Sequence, residues 1–430
     1  MKEQTIYGLP KDWNWTKLGE VCEKVEAVKR KEKNPGEELL YLDIGGIDNH
    51  SNKIISHKIY KWSDAPSRAQ QIVYKGDILF STVRTYLKNI AIVDNEIHNG
   101  QIGSSGFCVI RANEKIVNPK FTFYYVISES FIRSLNELQT GSSYPAVRDK
   151  DVFNQPFPLP PKEIQQQIVS KIEELFSELD KGIDELKIAQ QQLRVYRQAV
   201  LKWAFEGKLT NEHVKDGVLP EEWRPLKLKD ITEEKNGLRR GPFGSAIKKS
   251  FFVLEGYKVY EQGNAINDDP YRGSYYVDES KYNELINFKV QPNDLIVSCS
   301  GVTLGRISEI PEDAKPGIIN QALLRIRLKR ELVLNKFFIM HFRAAFFQKK
   351  IFDQSQGTAM PNLVGIKDFK EIQLMLPSIE EQQQILQEIE SRFSVSDKIE
   401  ETIANSLKQA EALRQSILKK AFEGKLLTNQ

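Results

Sequence analysis

Apolar residues recur at intervals of three and four along two long stretches of the chain, a spacing that places them on one face of a helix. The first stretch carries them from Ile168 to Val200, and the second carries them from Ile385 to Ile417. At 1.5 Å per residue, about 43 residues predict a rod of roughly 65 Å in each case, longer than a helix of an ordinary compact domain. The apolar seam predicts helix pairing in the manner of a coiled coil, with stutters in the heptad.

The two helical stretches are copies of one another. Residues 160–209 align with residues 377–426 without a gap, and 23 of the 50 aligned positions are identical. Ser378 is predicted to cap the start of the second helix, and Gly207 and Gly424 are predicted to end the two helices in the left-handed conformation. The duplication predicts that the two helices of one chain pair antiparallel.

The segments before the long helices have a different pattern, in which short apolar runs are separated by turn residues. Such runs predict strands, and two helical patterns follow them in the first segment. The predicted elements of that segment are the strands Leu39–Ile44, Gln71–Tyr74, Asp77–Ser81, Ile90–Val93 and Phe107–Arg111 and the helices Pro119–Ser128 and Ser130–Leu138. The fold class is therefore predicted to be α/β, with a mixed α/β arrangement in each segment.

The two segments share markers but differ in content. Leu9-Pro10-x-x-Trp13 returns as Leu219-Pro220-x-x-Trp223, whereas residues 237–250 have no counterpart in the first half. Two modules that share a scaffold and differ in what they present are expected of a protein that reads two different half-sites. The predicted organisation is a first module at 1–159, a central long helix at 160–209, a second module at 210–376 and a C-terminal long helix at 377–430.

The composition is that of a soluble globular protein, with 40% hydrophobic and 28% charged residues among 430. No apolar run reaches the length of a membrane span and no signal peptide is recognised, so a cytoplasmic location is expected. Cys22, Cys108 and Cys299 are isolated and the five histidines lack metal-ligand spacing, so neither disulfides nor a metal site are predicted. A net charge of +3 neither requires nor excludes a nucleic-acid partner.

Catalytic motifs are missing from the sequence. No Gly-x4-Gly-Lys-Ser/Thr phosphate loop is present. Asn154-Gln155-Pro156-Phe157 partly matches the Asn-Pro-Pro-Tyr/Phe motif of amino-methyltransferases, but Gln155 stands where that motif has proline, and we interpret the segment as a linker. The chain is therefore predicted to be non-catalytic.

Several polar residues are candidates for contacts with nucleic acid. Arg239, Arg240, Lys248 and Lys249 flank a Gly-Pro-x-Gly loop, where the backbone can approach phosphates closely. Amide side chains can read adenine, and arginines can read guanine. The further candidate DNA-binding residues are Arg84, Gln139, Ser142, Ser245, Gln262, Asn264, Arg306, Asn320, Gln321, Gln356 and Thr358. For each of them the alternative is a solvated surface side chain.

The repeated Pro-x-x-Glu-x-Gln-Gln-x-Ile helix openings, the Ala-Phe-Glu-Gly-Lys-Leu endings and the loop Gly241-Pro242-Phe243-Gly244-Ser245 resemble the specificity subunit of type I restriction–modification enzymes. The resemblance covers essentially the whole chain. It implies two mixed α/β target-recognition domains that are held apart by two long antiparallel coiled-coil helices, with a pseudo-two-fold internal repeat. The first half lacks the Gly-Pro-Phe-Gly-Ser loop and is expected to belong to another class of recognition domain.

The resemblance also implies a division of labour. Each recognition domain is expected to read one half of a bipartite, asymmetric site in double-stranded DNA, while the helices set the unread gap and dock two methylation subunits. Those partners are expected to bind S-adenosylmethionine and to methylate adenine, and separate restriction subunits are expected to use ATP and magnesium for translocation and cutting. No cofactor is expected in this chain.

Four aromatic residues near the helix ends, Tyr196, Trp203, Phe205 and Phe422, are the candidate partner-binding residues, because large aromatic side chains commonly anchor interfaces. Packing against the adjoining recognition domain is the alternative role for some of them. Two other functions stay open from the sequence, a stand-alone DNA methyltransferase and a non-enzymatic coiled-coil scaffold.

Overall fold

The chain divides into two compact units. A computed structural model of the protein describes residues 9–211, 214–215, 218–301, 303–352 and 362–427. Unit 1 comprises residues 1–187 and 404–430, and unit 2 comprises residues 188–403. Each unit therefore contains one module of strands and short helices together with a part of both long helices.

Unit 1 is built on two four-stranded sheets and contains three short helices. In spatial order the sheets are Lys58–Lys61, Glu38–Leu42, Gln101–Ser104, Ala69–Val73, and Cys22–Glu23, Phe107–Ala112, Ile78–Ser81, Ile90–Ile92. Two strand pairs and the helices complete the unit: Asn14–Lys17 with Pro156–Leu159, Ile47–Asp48 with Lys53–Ile54, and the helices Pro119–Val126, Glu129–Asn136 and Asp149–Phe153. The strands and helices predicted for this segment are confirmed, with bounds that differ by a few residues.

Unit 2 repeats the plan. Its four-stranded sheets are, in spatial order, Leu238–Arg240, Leu323–Ile326, Leu295–Ser298, Ile307–Glu309, and Phe252–Val253, Tyr276–Val277, Tyr257–Tyr260, Gly317–Ile319. The remaining elements are the strand pair Arg224–Lys227 with Gln373–Leu376 and the helices Leu228–Ile231, Gln262–Ile266, Glu279–Glu284, Asn335–Arg343, Ala345–Ile351 and Ile366–Glu371. The predicted mixed α/β fold is therefore confirmed in both halves of the chain.

Two helices of 44 residues each, Lys162–Phe205 and Ile379–Phe422, are the longest elements. Gly207 and Gly424 follow them with φ angles of 78° and 71°, so the predicted left-handed caps are confirmed. None of the helices in the described ranges combines the length and the apolar character that a membrane span needs.

The repeated Leu-Pro-x-x-Trp markers pack on these caps. In unit 1, a side chain at Gly424 would overlap the ring of Pro10 and touch Trp13. In unit 2, a side chain at Gly207 would meet Pro220 and Trp223 in the same way. Glycine is therefore needed at both positions for two reasons, the backbone angle and the close approach of a proline ring.

A buried glutamine joins the start of each long helix to the module that precedes it. In unit 1, Gln165 donates to the carbonyl oxygens of Pro160 and Ile116 at 2.9 and 3.2 Å and accepts from the Asn118 N–H at 2.8 Å. These bonds satisfy the carbonyl oxygen two residues before the helix and two backbone groups of the preceding module. They also tie the helix to the turn that leads into the helix Pro119–Val126.

The same clamp occurs in unit 2. Gln382 donates to the carbonyl oxygens of Pro377 and Leu332 at 3.1 and 2.9 Å and accepts from the Leu334 N–H at 2.9 Å. Both glutamine side chains are fully buried. The duplicated Gln-Gln-Gln sequence therefore contains one structural residue in each copy, while the two glutamines that follow it are exposed.

In each unit an arginine of one long helix pairs with an aspartate of the other, and these two pairs are equivalent in the repeat. In unit 1, Arg414 pairs with Asp180. In unit 2, Arg197 pairs with Asp397 at 2.5 Å and also with Glu400 at 3.2 Å. The offset of 217 residues relates Asp180 to Asp397 and Arg197 to Arg414. Within each unit the two helices therefore contact one another, and coiled-coil pairing along their whole length stays a prediction.

We predict that the variant Gln382→Met is less stable than the wild type. Methionine has a similar volume but leaves three buried backbone groups without a partner, and each such group costs about 1–3 kcal/mol. The free energy of unfolding should fall by about 2 kcal/mol or more, measured as a lower midpoint of thermal unfolding.

The matched control for this variant is Gln383→Met, at the adjacent exposed position of the same helix. Exposed substitutions usually change stability by no more than about 0.5 kcal/mol. Equal unfolding midpoints for the two variants would contradict the proposed role of the Gln382 amide.

Candidate nucleic-acid interface

The loop 241–247 of unit 2 is held at both ends. The Gly241 N–H donates to the Leu323 carbonyl oxygen at 2.9 Å, and a side chain at Gly241 would overlap the backbone of Asn320. At the other end, Ile247 is buried among the side chains of the second sheet. Between these anchors Pro242 is buried, whereas the tip of the loop, residues 243–245, is exposed. Ser245, a predicted DNA contact, therefore lies at an accessible and well-supported position.

Three predicted amide side chains lie near the end of the strand Leu295–Ser298, and two of them contact the loop. Asn320 and Gln321 lie directly against it, since Gly241 contacts the Asn320 backbone and Gly244 faces the Gln321 side chain. Gln262 donates to the Ser300 carbonyl oxygen at 2.5 Å, and Ser300 follows the strand Leu295–Ser298. The three amides and the loop therefore gather where Leu295–Ser298 ends and the neighbouring strand Leu323–Ile326 begins.

The predicted basic residues of unit 2 differ in how far they are free to reach a ligand. Lys248 and Lys249 are exposed directly after the loop, and Arg306 is exposed beside Ser298, to whose hydroxyl its N–H donates at 2.9 Å. Arg240 is half-buried on the strand that leads into the loop. The Arg239 guanidinium lies 4.9 Å from the Phe288 ring, a cation–π contact that occupies one face of the group.

The predicted contact Asn264 is used inside the domain. Its side chain is buried, and Nδ2 donates to the carbonyl oxygens of Asp269 and Arg272 at 3.0 and 2.7 Å, while Oδ1 accepts from the Glu261 N–H at 2.8 Å. This amide stabilises the turn after the helix Gln262–Ile266, so we remove Asn264 from the candidate DNA contacts. Gln356 and Thr358 lie outside the described residues.

In unit 1 the predicted residue Arg84 has a strained backbone. Its φ angle is 49°, in the left-handed region that few residues other than glycine adopt. Its N–H donates to the Pro145 carbonyl oxygen at 2.7 Å, and Nη2 donates to the Ser143 carbonyl oxygen at 3.2 Å. The guanidinium lies 4.9 Å from the ring of Tyr144. Such strain persists where surrounding contacts hold it, and it is concentrated at functional sites.

The other two predicted residues of unit 1 belong to the same cluster. Gln139 donates to the hydroxyl of Thr85 and, at 3.1 Å, to the Asn136 side chain. Ser142 is exposed in the turn that carries Tyr144. The structure therefore brings Arg84 together with Gln139 and Ser142, although Arg84 precedes Gln139 by 55 residues in the sequence.

The clusters of the two units lie at equivalent places in the repeated fold. In unit 1 the cluster follows the strand Ile78–Ser81, at the end where Phe107–Ala112 begins. The repeat relates these strands to Leu295–Ser298 and Leu323–Ile326, where the cluster of unit 2 lies. Two segments of unrelated sequence therefore carry polar and basic side chains on the same end of the same sheet.

Two exposed aromatic residues belong to these clusters and were missed from the sequence. Tyr144 is 71% exposed in unit 1, and Phe243 is 90% exposed in unit 2. An aromatic residue beside proline inside a Gly/Ser-rich turn is the signal that points to such a position, because that turn cannot bury the ring.

The four aromatic residues predicted to bind partner proteins fall into two groups. Phe205 and Phe422 are buried: Phe422 packs edge-on against Phe121 at 5.3 Å between ring centroids, and Phe205 packs against Phe337 at 5.2 Å. Their rings belong to the cores of the units, so neither forms a docking surface. Trp203 and Tyr196, in contrast, are exposed on the first long helix.

Burial shifts the pKa of two cysteine thiols and of one histidine. Burial raises the pKa of the Cys22 and Cys299 thiols to about 12, which keeps both in the unreactive thiol form. Burial lowers the pKa of His341 to about 3, so this ring is neutral. Across the described ranges, no group of three or more His, Cys, Asp or Glu side chains is arranged to hold a metal ion.

The methyltransferase-like segment is part of the core of unit 1. Gln155 accepts from the Ser134 hydroxyl at 2.7 Å and donates to the Asp151 carbonyl oxygen at 3.0 Å, and Phe157 is fully buried. The segment Pro156–Leu159 is a strand paired with Asn14–Lys17. Its side chains therefore support the fold and do not line an active site, and the interpretation as a linker is corrected to a core strand.

Comparison with known proteins identifies the family. A sequence model of the family described as "Type I restriction modification DNA specificity domain" matches residues 10–187 and 220–409. The specificity subunit of the type I restriction enzyme EcoBI of Escherichia coli is 28% identical over 333 residues, which cover 74% of this chain and 68% of that protein. The EcoKI specificity subunit of Escherichia coli K12 is 24% identical, with the same coverage of both chains.

Solved structures agree with this result. A chain from a study of complex assembly and conformational transition of the type I restriction–modification system matches with a TM-score of 0.75 and 28% identity, over 98% of this chain and 100% of that one. The specificity subunit HsdS of Thermoanaerobacter tengcongensis matches with a TM-score of 0.56, 27% identity and the same coverage. Neither a stand-alone methyltransferase nor a coiled-coil scaffold is supported by these similarities. The chain belongs to the family of type I restriction–modification DNA specificity subunits.

Proposed function

We propose that each unit reads one half of a bipartite, asymmetric site in double-stranded DNA. The observation that carries this proposal is the position of the two polar clusters, which occupy the same end of the same sheet in both units although their sequences differ. A shared scaffold with two different presented surfaces is what independent recognition of two different half-sites requires. Arg84, Gln139 and Ser142 are the proposed contacts of unit 1.

In unit 2 the proposed contacts divide by chemistry. Exposed lysines and arginines position a protein on the phosphate backbone, whereas amide and arginine side chains read base edges. The proposed phosphate contacts are Arg240, Lys248 and Lys249, and the proposed base contacts are Ser245, Gln262, Arg306, Asn320 and Gln321. Arg239, Gln356 and Thr358 are further proposed contacts.

The long helices are the proposed docking surface for two methylation subunits. In unit 2 the first helix carries exposed apolar side chains whose positions fall within about 100° of the helix circumference. These residues are Ile188, Val195, Tyr196 and Trp203. A stripe of this kind on a helix that already contacts its partner helix through another face supports binding of a further helix.

The complete enzyme supplies the chemistry in this proposal. The methylation subunits bind S-adenosylmethionine and methylate adenine, and the restriction subunits use ATP and magnesium to translocate and cut DNA. This chain contributes recognition and assembly, and the length of its two long helices sets the unread gap between the half-sites.

The main test of the proposal is an exchange of one recognition domain. Replacing residues 210–376 with the corresponding segment of a relative should change one half of the methylated site and leave the other half and the gap unchanged. The measurement is long-read mapping of methylated adenines in cells that express the exchanged subunit with its partners. If both half-sites change together, the two units do not read independently.

The double variant Lys248→Ala, Lys249→Ala should bind cognate DNA more weakly and with a shallower salt dependence. Each lost phosphate contact reduces the slope of log affinity against log salt by about 0.9, so the slope should fall by about two. The control is Lys329→Ala, Arg330→Ala, which removes two charges beyond the opposite end of the strand Leu323–Ile326. Equal slopes for the two double variants would place Lys248 and Lys249 outside the interface.

The variant Trp203→Ala should weaken binding of the methylation subunits. A central aromatic anchor contributes about 2 kcal/mol or more, which corresponds to roughly thirtyfold in affinity. The control Ile55→Ala changes an exposed apolar residue in unit 1 and should have no effect. Wild-type affinity of a folded Trp203→Ala variant, measured by titration of the purified partner, would contradict docking at this position.

A further inference from the structure

The loop 241–247 exposes an apolar side chain that the fold itself does not use. Phe243 is 90% exposed, whereas Pro242 directly before it is buried. Contact of a phenyl ring with water is unfavourable, and the Phe243 ring keeps this contact in the folded protein. Single exposed apolar residues are common on protein surfaces, so exposure alone does not imply a function. The support and the surroundings of the ring distinguish Phe243 from such residues.

The backbone that carries Phe243 is fixed before any ligand binds. Gly241 is anchored to Leu323 by its N–H, and there is no room for a side chain between Gly241 and Asn320. The Ala246 N–H donates to the Phe243 carbonyl oxygen at 2.8 Å, which closes a turn at the tip of the loop. A side chain on a preorganised backbone loses less conformational entropy when it binds.

The surroundings of the ring match the chemistry of duplex DNA. Basic side chains stand on both sides of the loop, with Arg240 before it and Lys248 and Lys249 after it, and the amide of Gln321 lies beside Gly244. An apolar ring between cations and amides is complementary to a ligand whose phosphates lie outside and whose bases lie inside. Leu254, which is also nearly fully exposed in unit 2, stands beside the acidic Glu255 instead.

We propose that Phe243 is an apolar wedge that inserts at one base step of the half-site read by unit 2. Proteins that partly unstack a base step use phenylalanine and similar apolar side chains for this purpose, while neighbouring cations hold the phosphates. The basic residues then contribute the salt-dependent part of binding, and the ring contributes a part that does not depend on salt. This inference rests on the proposed function, since it requires that unit 2 binds DNA.

The test measures how tightly the variant Phe243→Ala, in complex with the methylation subunits, binds a DNA duplex. The duplex contains the sequence motif that the wild-type complex methylates. Loss of the stacked ring should lower affinity about tenfold or more, with an unchanged slope against log salt because no phosphate contact is lost. Phe243→Trp should retain most of the affinity, since its ring can also stack. With 2-aminopurine placed at successive steps of the half-site, the wild type should raise fluorescence at one step, and Phe243→Ala should not.

The matched control is Leu254→Ala, which removes a side chain that is 95% exposed in the same unit. It should bind DNA as the wild type does, and co-purification with the methylation subunits verifies that each variant is folded. Three results would each contradict insertion of the Phe243 ring. They are an unchanged affinity of Phe243→Ala, a loss of affinity with a shallower salt dependence, and an equal loss of affinity in Leu254→Ala. The proposed function itself would be contradicted if the wild-type complex bound a scrambled duplex as tightly as the motif that it methylates. Failure of the proposed function can therefore be distinguished from failure of the inference about Phe243.

Discussion

The buried side-chain amides of Gln165 and Gln382 are the interaction on which the rest of each unit depends. Each glutamine lies in the first turn of a helix of 44 residues and donates to the carbonyl oxygen of the proline that precedes the helix, Pro160 or Pro377. One glutamine bonds to both the strand end and the adjacent turn, so the long helix and the module become a single hydrogen-bonded body. The apolar face of the helix then completes the core of the same unit.

The opposite ends of the helices are held by packing as well as by side-chain hydrogen bonds, such as those that Gln198 and Gln415 accept from the Ala345 and Glu129 N–H groups. A left-handed glycine ends each helix, and a proline and a tryptophan of the Leu-Pro-x-x-Trp marker cover it. In unit 1 the marker near residue 10 covers Gly424, close to the end of the sequence, and in unit 2 the marker near residue 220 covers Gly207. Pro10 and Trp13 therefore contact a residue more than 400 positions later in the sequence, and the repeated marker has the same role in both units.

None of these shared contacts involves the polar end of the sheets that contain Ile78–Ser81 in unit 1 and Leu295–Ser298 in unit 2. The surface side chains there can therefore differ between the two units. The backbone there is held by contacts such as those of Gly241 and Arg84, so the side chains on the surface can vary without changing the fold. This separation of scaffold and presented surface supports recognition of two unrelated half-sites by one chain. The same arrangement places an aromatic ring, Tyr144 or Phe243, at the exposed tip of the variable surface in each unit.

The sequence by itself determined the repeat, the two long helices, their glycine caps and the mixed α/β modules, because periodicity, capping residues and turn residues are local signals. It also determined the family through its repeated motifs. Only the tertiary structure decided which candidate side chains face solvent. Asn264 and Phe205 look like surface residues in the sequence, yet packing and backbone hydrogen bonds bury them. Phe243 is apolar, yet the anchored backbone on either side of it leaves its ring in water, because burial is decided by the elements that cover a residue and not by its own chemistry.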